Sequence, residues 1–272
     1  MAKVHRDVIY GQAAGVELKM DLYLPTNATS KVLPVVMYVH GGGWRMGSKS
    51  MLAGMPGPAE LLQRGYLVAA INYRLAPKYK FPAMLEDAKC AVRFLRANAK
   101  EYNLDPDRIG VIGDSAGGHL VALLGLTDAS AGFDGQGGWS GQSSRVQAVV
   151  DFYGPTDFTT ESATNSKIGI ALIQDAFGAK AAGDPILKRA SPVTYVSSHA
   201  PPFLILHGDH DGLVELKQSV ELDEKLKAAG VSSTLVVITN FAHGFTPWGL
   251  KSNPNKAELS KMVADFFDRN LQ

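Results

Sequence analysis

The feature that most constrains the fold is a pentapeptide lying where the hydrophobic period changes. Gly113-Asp-Ser-Ala-Gly117 follows the short apolar run Ile109 to Ile112 and opens the longer apolar stretch Ala116 to Leu126. The first run reads as a strand and the second as a helix, so the pentapeptide must turn the chain sharply between them. A G-x-S-x-G turn in that setting holds its serine in a strained backbone conformation with the hydroxyl exposed. Its glycines are needed because strand and helix approach closely on either side and leave no room for a Cβ. In a chain with 28 glycines the pentapeptide alone is a weak match, and its strand–turn–helix setting gives it weight.

The rest of the chain repeats this alternation. Residues 4–10 and 16–24 read as two strands around a turn at Gly11 to Gly15, the second alternating apolar and polar side chains. Val35 to Val39 is a continuous apolar run between Pro34 and a glycine cluster, the pattern of a strand buried on both faces. Further strands are expected over 67–71, 109–112, 146–152, 202–206 and 235–238. Leu85, Ala88, Val92, Leu95 and Ala99 recur at three- and four-residue steps and predict an amphipathic helix over 84–102. Helices are also expected over 116–126 and 215–229, and Leu259, Met262, Val263, Phe266, Phe267 and Leu271 mark a closing one. This order predicts an α/β fold, with a mostly parallel central sheet, helices on both faces and an antiparallel N-terminal edge. Residues 127–145, rich in Gly and Ser and carrying Trp139, read as a surface loop. Residues 154–200 hold short helical pieces such as Ile168 to Phe177. They should sit over the carboxyl ends of the strands, where such sheets bind ligands. No repeat or linker interrupts the pattern, so a single domain over residues 1–272 is expected.

Charge and hydropathy narrow the function. The 27 basic and 26 acidic residues give a net charge of +1 with no long run of either sign, which argues against a nucleic-acid or anionic-membrane partner. No apolar run approaches the roughly 18 residues of a membrane span, and Met1 to Val8 lacks the apolar core of a signal peptide. A cytoplasmic protein is expected, or a secreted one if a leader has been removed. The single cysteine, Cys90, can form no internal disulfide and reads as a small buried residue within the apolar-patterned stretch Asp87 to Leu95.

A serine hydroxyl is a poor nucleophile without a base. Of seven histidines, His243 stands in Phe241-Ala-His-Gly-Phe245, just after the last predicted strand, where a loop can reach Ser115. The residue orienting the base should come from the loop after the preceding strand. There His207-Gly-Asp-His-Asp211 offers Asp209 and Asp211. Asp211 is favoured because it lies further out, before the helix starting near Glu215, and Asp209 is expected to cap or shape the turn. The order Ser115…Asp211…His243 is the one expected when the serine sits on such a turn. His207, Asp209, His210 and Asp211 could also be read as metal ligands. Four ligands so close in one loop point in divergent directions, however, and no second cluster lies nearby. No metal and no cofactor are expected. His119, on the helix behind the serine, should be packed and hydrogen-bonded, His40 should tie loops together, and His5 and His199 should lie at the surface.

Val39-His-Gly-Gly-Gly-Trp-Arg45 follows the strand 35–39. Three glycines let the backbone turn its N–H groups toward the serine, and prearranged N–H donors stabilise the oxyanion of a tetrahedral intermediate. Gly42 and Gly43 are assigned that role, with the N–H of Ala116 as a third donor. A phosphate cradle is disfavoured, because no lysine follows at P-loop spacing and the dinucleotide glycine pattern is missing. Trp44, Leu213, Phe245 and Trp248 flank these loops. They either line a substrate pocket or pack in the core, and the sequence leaves both readings open.

His40-Gly-Gly-Gly-Trp44, Asn72-Tyr-Arg-Leu-Ala-Pro77, Gly113-Asp-Ser-Ala-Gly117, His207-Gly-Asp-His-Asp211 and His243-Gly together resemble the hormone-sensitive-lipase-like esterases. The closer likeness is to short, capless bacterial esterases of the feruloyl- or acetyl-xylan-esterase type. Leu104-Asp-Pro-Asp-Arg-Ile-Gly110 and Ala190-Ser-Pro-Val-Thr-Tyr195 fit that group as well. The likeness covers most of the chain. It implies the α/β-hydrolase fold and cofactor-free ester hydrolysis by Ser115, Asp211 and His243, with Gly42, Gly43 and Ala116 holding the oxyanion. Only 39 residues precede His40, so no large cap and a fairly open site are expected. The chain departs from the group at Glu215, where proline is common; both residues suit the start of a helix. The expected substrate is a small-molecule ester with a short acyl chain, acetyl to butyryl. Acetylated or feruloylated carbohydrate enters on family likeness alone. An arylformamidase or small-peptide amide hydrolase would use the same triad. A non-catalytic binding protein of this fold would typically lose a triad member, and all three are present. An exposed edge strand and a closing amphipathic helix suit either a monomer or a homodimer.

Overall fold

Strand β3 (Leu33–Val39) is buried along its whole length, and its side chains divide between two cores. Val35, Met37 and Val39 enter one, Val36 and Tyr38 the other. This is the period of two expected of a strand covered on both faces. The computed structural model describes residues 3–25, 32–160, 167–245 and 251–272. Beside β3 lie β4 (Leu67–Ile71) and β5 (Leu104–Asp114), both parallel to it, with Val35 opposite Leu67 on one side and Ile109 on the other. Strands β6 (Ala148–Phe152), β7 (Phe203–Gly208) and β8 (Ser233–Ile238) continue the sheet in parallel. At the opposite end β2 (Val16–Leu24) pairs antiparallel with β4, and β1 (Lys3–Ala13) antiparallel with β2. The order among the described residues is β1-β2-β4-β3-β5-β6-β7-β8, the mostly parallel sheet with an antiparallel edge that the sequence predicts.

Helices cover both faces. On the face of Val35 and Met37, α2 (Ala83–Ala97), α4 (Ala116–Leu126) and α7 (Leu216–Ala228) contribute Leu85, Leu123 and Leu222. On the other, α1 (Pro58–Gln63) and α8 (Lys256–Leu271) contribute Leu61, Val263 and Phe267. Burying each such side chain contributes about 1.5–3 kcal/mol. A capping box fixes the start of α8. The Asn255 side chain accepts from the N–H groups of Ala257 and Glu258, and the Glu258 carboxylate accepts from the N–H of Asn255. Cys90 is fully buried on α2, and burial pushes its thiol up to about 11, which keeps it protonated. Among the described residues no helix is long and apolar enough to cross a membrane.

Several boundaries differ from the sequence reading. The turn expected at 11–15 is confined to Ala14 and Gly15, because Gly11 and Gln12 still pair with Leu18 and Glu17. The helix expected over 84–102 is two helices, α2 and α3 (Ala99–Tyr102). Asn98 divides them, its side-chain amide donating back to the Phe94 carbonyl at 2.8 Å. Strand β5 starts earlier than expected and β6 later. The loop 127–145 is less superficial than its composition suggests. Phe133 is fully buried, and the buried Lys89 donates to the Thr127 carbonyl at 3.0 Å and to Ser144 at 3.3 Å. Within 154–200 stand α5 (Lys167–Phe177) and α6 (Pro185–Ala190). Glu215 takes the N-cap position of α7, one residue before its first turn.

Candidate active site

Ser115 stands between β5 and α4 with φ 54° and ψ −118°, a left-handed conformation costly for any residue with a Cβ. Two restraints hold it there. Its N–H donates to the Phe152 carbonyl at 2.8 Å. A Cβ on Gly117 would collide with the Val39 carbonyl, and one on Gly113 with the Gly117 carbonyl, so strand and helix close to a distance only glycine permits.

His243 follows β8 and reaches this serine. Its Nε2 is 2.9 Å from Ser115 Oγ and its Nδ1 2.6 Å from Asp211 Oδ2. A carboxylate can only accept, so Nδ1 carries the proton and Nε2 is left to accept from the serine hydroxyl. The ring of Tyr153 packs edge-on against His243, 4.8 Å between centroids. Asp211 is buried, with Oδ1 accepting from the N–H groups of Leu213 and Val214, each at 2.9 Å. Its other oxygen faces His207 Nε2 at 3.3 Å as well as His243. Burial would raise this carboxyl. The bonds from His207, His243 and Val214 outweigh it and hold Asp211 well below the usual carboxylate range.

Asp209 turns away from the base. Its Oδ1 accepts from the Phe241 N–H at 3.2 Å and lies 2.6 Å from His210 Nδ1, so it shapes the loop.

The glycine loop after β3 is held from beneath by the Asp114 side chain, whose Oδ1 accepts from the Gly41 N–H at 3.1 Å and from the Tyr38 hydroxyl at 2.8 Å. Burial raises the Asp114 carboxyl, and these donors pull against the rise. Tyr73 stacks on His40 and donates to its carbonyl at 2.9 Å. Gly42 and Gly43 have φ of 105° and 59°, and the Gly42 carbonyl accepts from Arg45 and Met46. Among the described residues no hydrogen bond is found from the N–H of Gly42 or Gly43. Ala116 opens α4, so its N–H has no acceptor within the helix.

Gly43 and Ser115 share the wall of a cavity of about 50 Å³, completed by Trp44, Phe158, Leu172, Ile173, Leu213 and Val214. Trp44 and Leu213 both line this cavity. Trp44 is also core. It is 4 % exposed, packs on Phe177 and Phe158, and donates its indole N–H to His119 Nδ1 at 3.1 Å. His119 Nε2 is 2.8 Å from the Ala190 carbonyl, and burial pushes this imidazole down to about 4. The other two expected pocket residues cannot be placed: Trp248 and the side chain of Phe245 lie outside the described residues.

Sequence reasoning weighed His207 only as a metal ligand and a motif residue, not as a partner of Asp211, and it overlooked Tyr153. Both sit at the carboxyl ends of strands, a position that could have flagged them. Leu172 and Ile173 on α5 carried no such signal, because nothing in the sequence says which side of that helix meets the serine.

A serine hydroxyl bonded to a neutral imidazole, which is itself bonded to a carboxylate, can attack a carbonyl as the imidazole takes its proton. A family model described as BD-FAE matches residues 20–226. The esterase LipQ of Mycobacterium tuberculosis is 31% identical over 96% of this chain and 61% of its own length. The probable carboxylic ester hydrolase LipM of the same organism is 36% identical over 80% of this chain and 50% of its own. The chain therefore spans about half to three fifths of the length of these curated relatives. Among solved structures, a truncated carbohydrate esterase from gut microbiota superposes with a TM-score of 0.83 at 28% identity, covering 98% of this chain and 95% of that one. A propionate-bound esterase of Thermogutta terrifontis superposes at 0.78 and 25% identity, covering 98% and 94%.

Proposed function

Because the chain belongs to the BD-FAE family, we propose that it is a carboxylesterase working through an acyl-enzyme on Ser115, with residues 1–272 acting as one α/β-hydrolase domain. The observation that carries this reading is the hydrogen-bonded line Ser115–His243–Asp211, which opens at its serine end onto an apolar cavity. His243 removes the hydroxyl proton as Oγ attacks the ester carbonyl. Asp211 keeps Nδ1 protonated and stabilises the imidazolium. The N–H groups of Gly42, Gly43 and Ala116 receive the oxyanion. His243 then protonates the leaving alcohol, and the same base activates water to release the acid.

Cavity size favours a short acyl group. A water-sized group needs on the order of 10–15 Å³ measured the same way. About 50 Å³ therefore accommodates a chain of a few carbons and favours a short acyl group over a feruloyl one. Neighbours of the same fold with propionate and butyrate bound support this reading, and a carbohydrate-esterase neighbour supports acetylated sugars as one source of such esters. The test is hydrolysis of p-nitrophenyl esters from acetate to palmitate, with acetylated xylan and methyl ferulate alongside. Short esters should turn over best. Ser115→Ala should lose both that turnover and covalent labelling by a fluorophosphonate. Labelling that survives the substitution would sink the assignment.

A further inference from the structure

The cavity at Ser115 is not the only apolar space around α5. A second cavity, of about 250 Å³, lies between α5 and α6 and is walled by Ile170, Ile173, Gln174, Ala182 and Leu187 among others. Ile173 lines both spaces, so its side chain stands in the partition between them. It is only 6 % exposed and belongs to the core cluster that includes Trp44, Phe158 and Phe177. Its neighbour Leu172 plays a different part. A Cβ placed on Gly43 would fall 2.7 Å from Leu172 Cδ2, so Leu172 lies over the glycine loop, beside the expected oxyanion donors. One residue further along the helix the side chain points about 100° away. That rotation carries Ile173 off the glycine loop and into the partition.

We propose that Ile173 is the residue that ends the acyl pocket, setting the longest acyl chain the site accepts by separating it from the cavity between α5 and α6. The inference rests on the esterase reading given above. A β-branched side chain on a helix is confined largely to one χ1 rotamer, so the stop is firm and does not swing aside for a longer chain. Truncating it joins a space of about 50 Å³ to one about five times larger, with apolar walls suited to methylene groups. Each methylene that gains or loses a hydrophobic pocket changes relative kcat/KM by roughly 10- to 200-fold.

The experiment measures kcat/KM for p-nitrophenyl acetate, butyrate, hexanoate, octanoate and decanoate in wild type, Ile173→Ala and Ile173→Val, with circular dichroism to confirm folding. Wild type should fall steeply beyond butyrate. Ile173→Ala should raise the octanoate-to-acetate ratio at least about tenfold. Ile173→Val, which removes a single methyl group and preserves the fold, should raise the hexanoate-to-acetate ratio several-fold. Should Ile173→Ala prove unfolded, the valine variant decides alone. Ratios that stay at the wild-type value in a folded variant that still cleaves acetate overturn the proposal and leave the esterase reading intact. A folded wild-type protein inert toward every ester in the series overturns the esterase reading itself.

Discussion

His207 is fully buried at the end of β7 and touches no expected substrate position, yet it should tune the base. Its Nε2 is 2.9 Å from the Val214 carbonyl and 3.3 Å from Asp211 Oδ2, while Nδ1 is 2.7 Å from Ser219 Oγ. Both neighbours of Nε2 are acceptors, so that atom carries a proton, while Nδ1 shares a hydrogen bond with the Ser219 hydroxyl. The Nε2–H therefore withdraws charge from the same carboxylate oxygen that receives His243. In His207→Leu that withdrawal is gone. Asp211 then holds its full charge against the His243 imidazolium, His243 keeps its proton to higher pH, and the acid limb of kcat/KM moves up. A hydrogen bond to a charged group is worth about 1.5–3 kcal/mol, and this long, shared one belongs at the lower end. Only part of it reaches His243. At about 1.4 kcal/mol per pH unit, the limb should rise by about half to one unit.

The assay is kcat/KM for p-nitrophenyl acetate between pH 4 and 9, paired with urea unfolding. Other groups facing the two histidines are Asp114 in the serine turn, and Asp151 on β6 and Tyr153 just after it, the last two of which lose His207 as a neighbour, so His207→Gln is the control that keeps a donor there. His207→Gln, whose side-chain amide can donate from near the Nε2 position, should return the limb toward its wild-type place. Stability should fall by about 1–3 kcal/mol in His207→Leu, because Ser219 Oγ and the Val214 carbonyl lose a buried partner. A folded His207→Leu enzyme with an unmoved acid limb would refute the reasoning, since a purely structural histidine would alter stability and leave the limb in place.

Two further outcomes follow from packing and burial. Gly117→Ala forces a Cβ against the Val39 and His40 carbonyls, so it should cost about 1–3 kcal/mol or more in urea unfolding and remove ester turnover along with the turn that carries Ser115. His119 stays neutral in the fold down to about pH 4, whereas an unfolded histidine takes a proton near 6.5. The stability attached to it is therefore full above pH 6.5 and lost as pH falls to 4, about 3 kcal/mol in all. His119→Phe should show a pH dependence weaker by about that amount between urea unfolding at pH 7 and at pH 4, and equal slopes in the two proteins would contradict it.

Much of this molecule is legible in its sequence because strand and helix periods are local. Val35 to Val39 could only be a strand covered on both faces, and the switch of period at Gly113 could only be a sharp turn. The four loops that converge follow β3, β5, β7 and β8, whose carboxyl ends lie on one side of a parallel sheet, so motif and chain order together place them side by side. What stayed hidden depends on contacts between distant residues. Asn98 splits a helix through a back-bond to Phe94 that no propensity announces. Trp44 faced the open alternatives of pocket and core, and it serves both, because its indole N–H is tied to His119 while its ring lines the cavity. The amphipathic period of α5 identifies a buried side. It cannot say that Leu172 meets the glycine loop and Ile173 a second cavity.

The two aspartates after β7 show why a short motif can need both. Asp211 is useful only if the loop after β7 and the loop bearing His243 hold a fixed distance, and two separate loops would drift independently. Here they are stitched into one unit. The Asp209 N–H donates to the Ile238 carbonyl at 3.0 Å and the His210 N–H to the Phe241 carbonyl at 3.0 Å, while the Asp209 carboxylate accepts from the Phe241 N–H. Gly208 allows the approach, because a Cβ there would strike the Phe241 carbonyl. Asp209 thus acts two residues upstream of His243, on the backbone, and Asp211 on the imidazole itself. Exchanging their roles would leave Asp211 without the Leu213 and Val214 N–H groups that keep it ionised. The distance of 2.6 Å between Asp211 and His243 is therefore a property of the paired loops as much as of the two side chains.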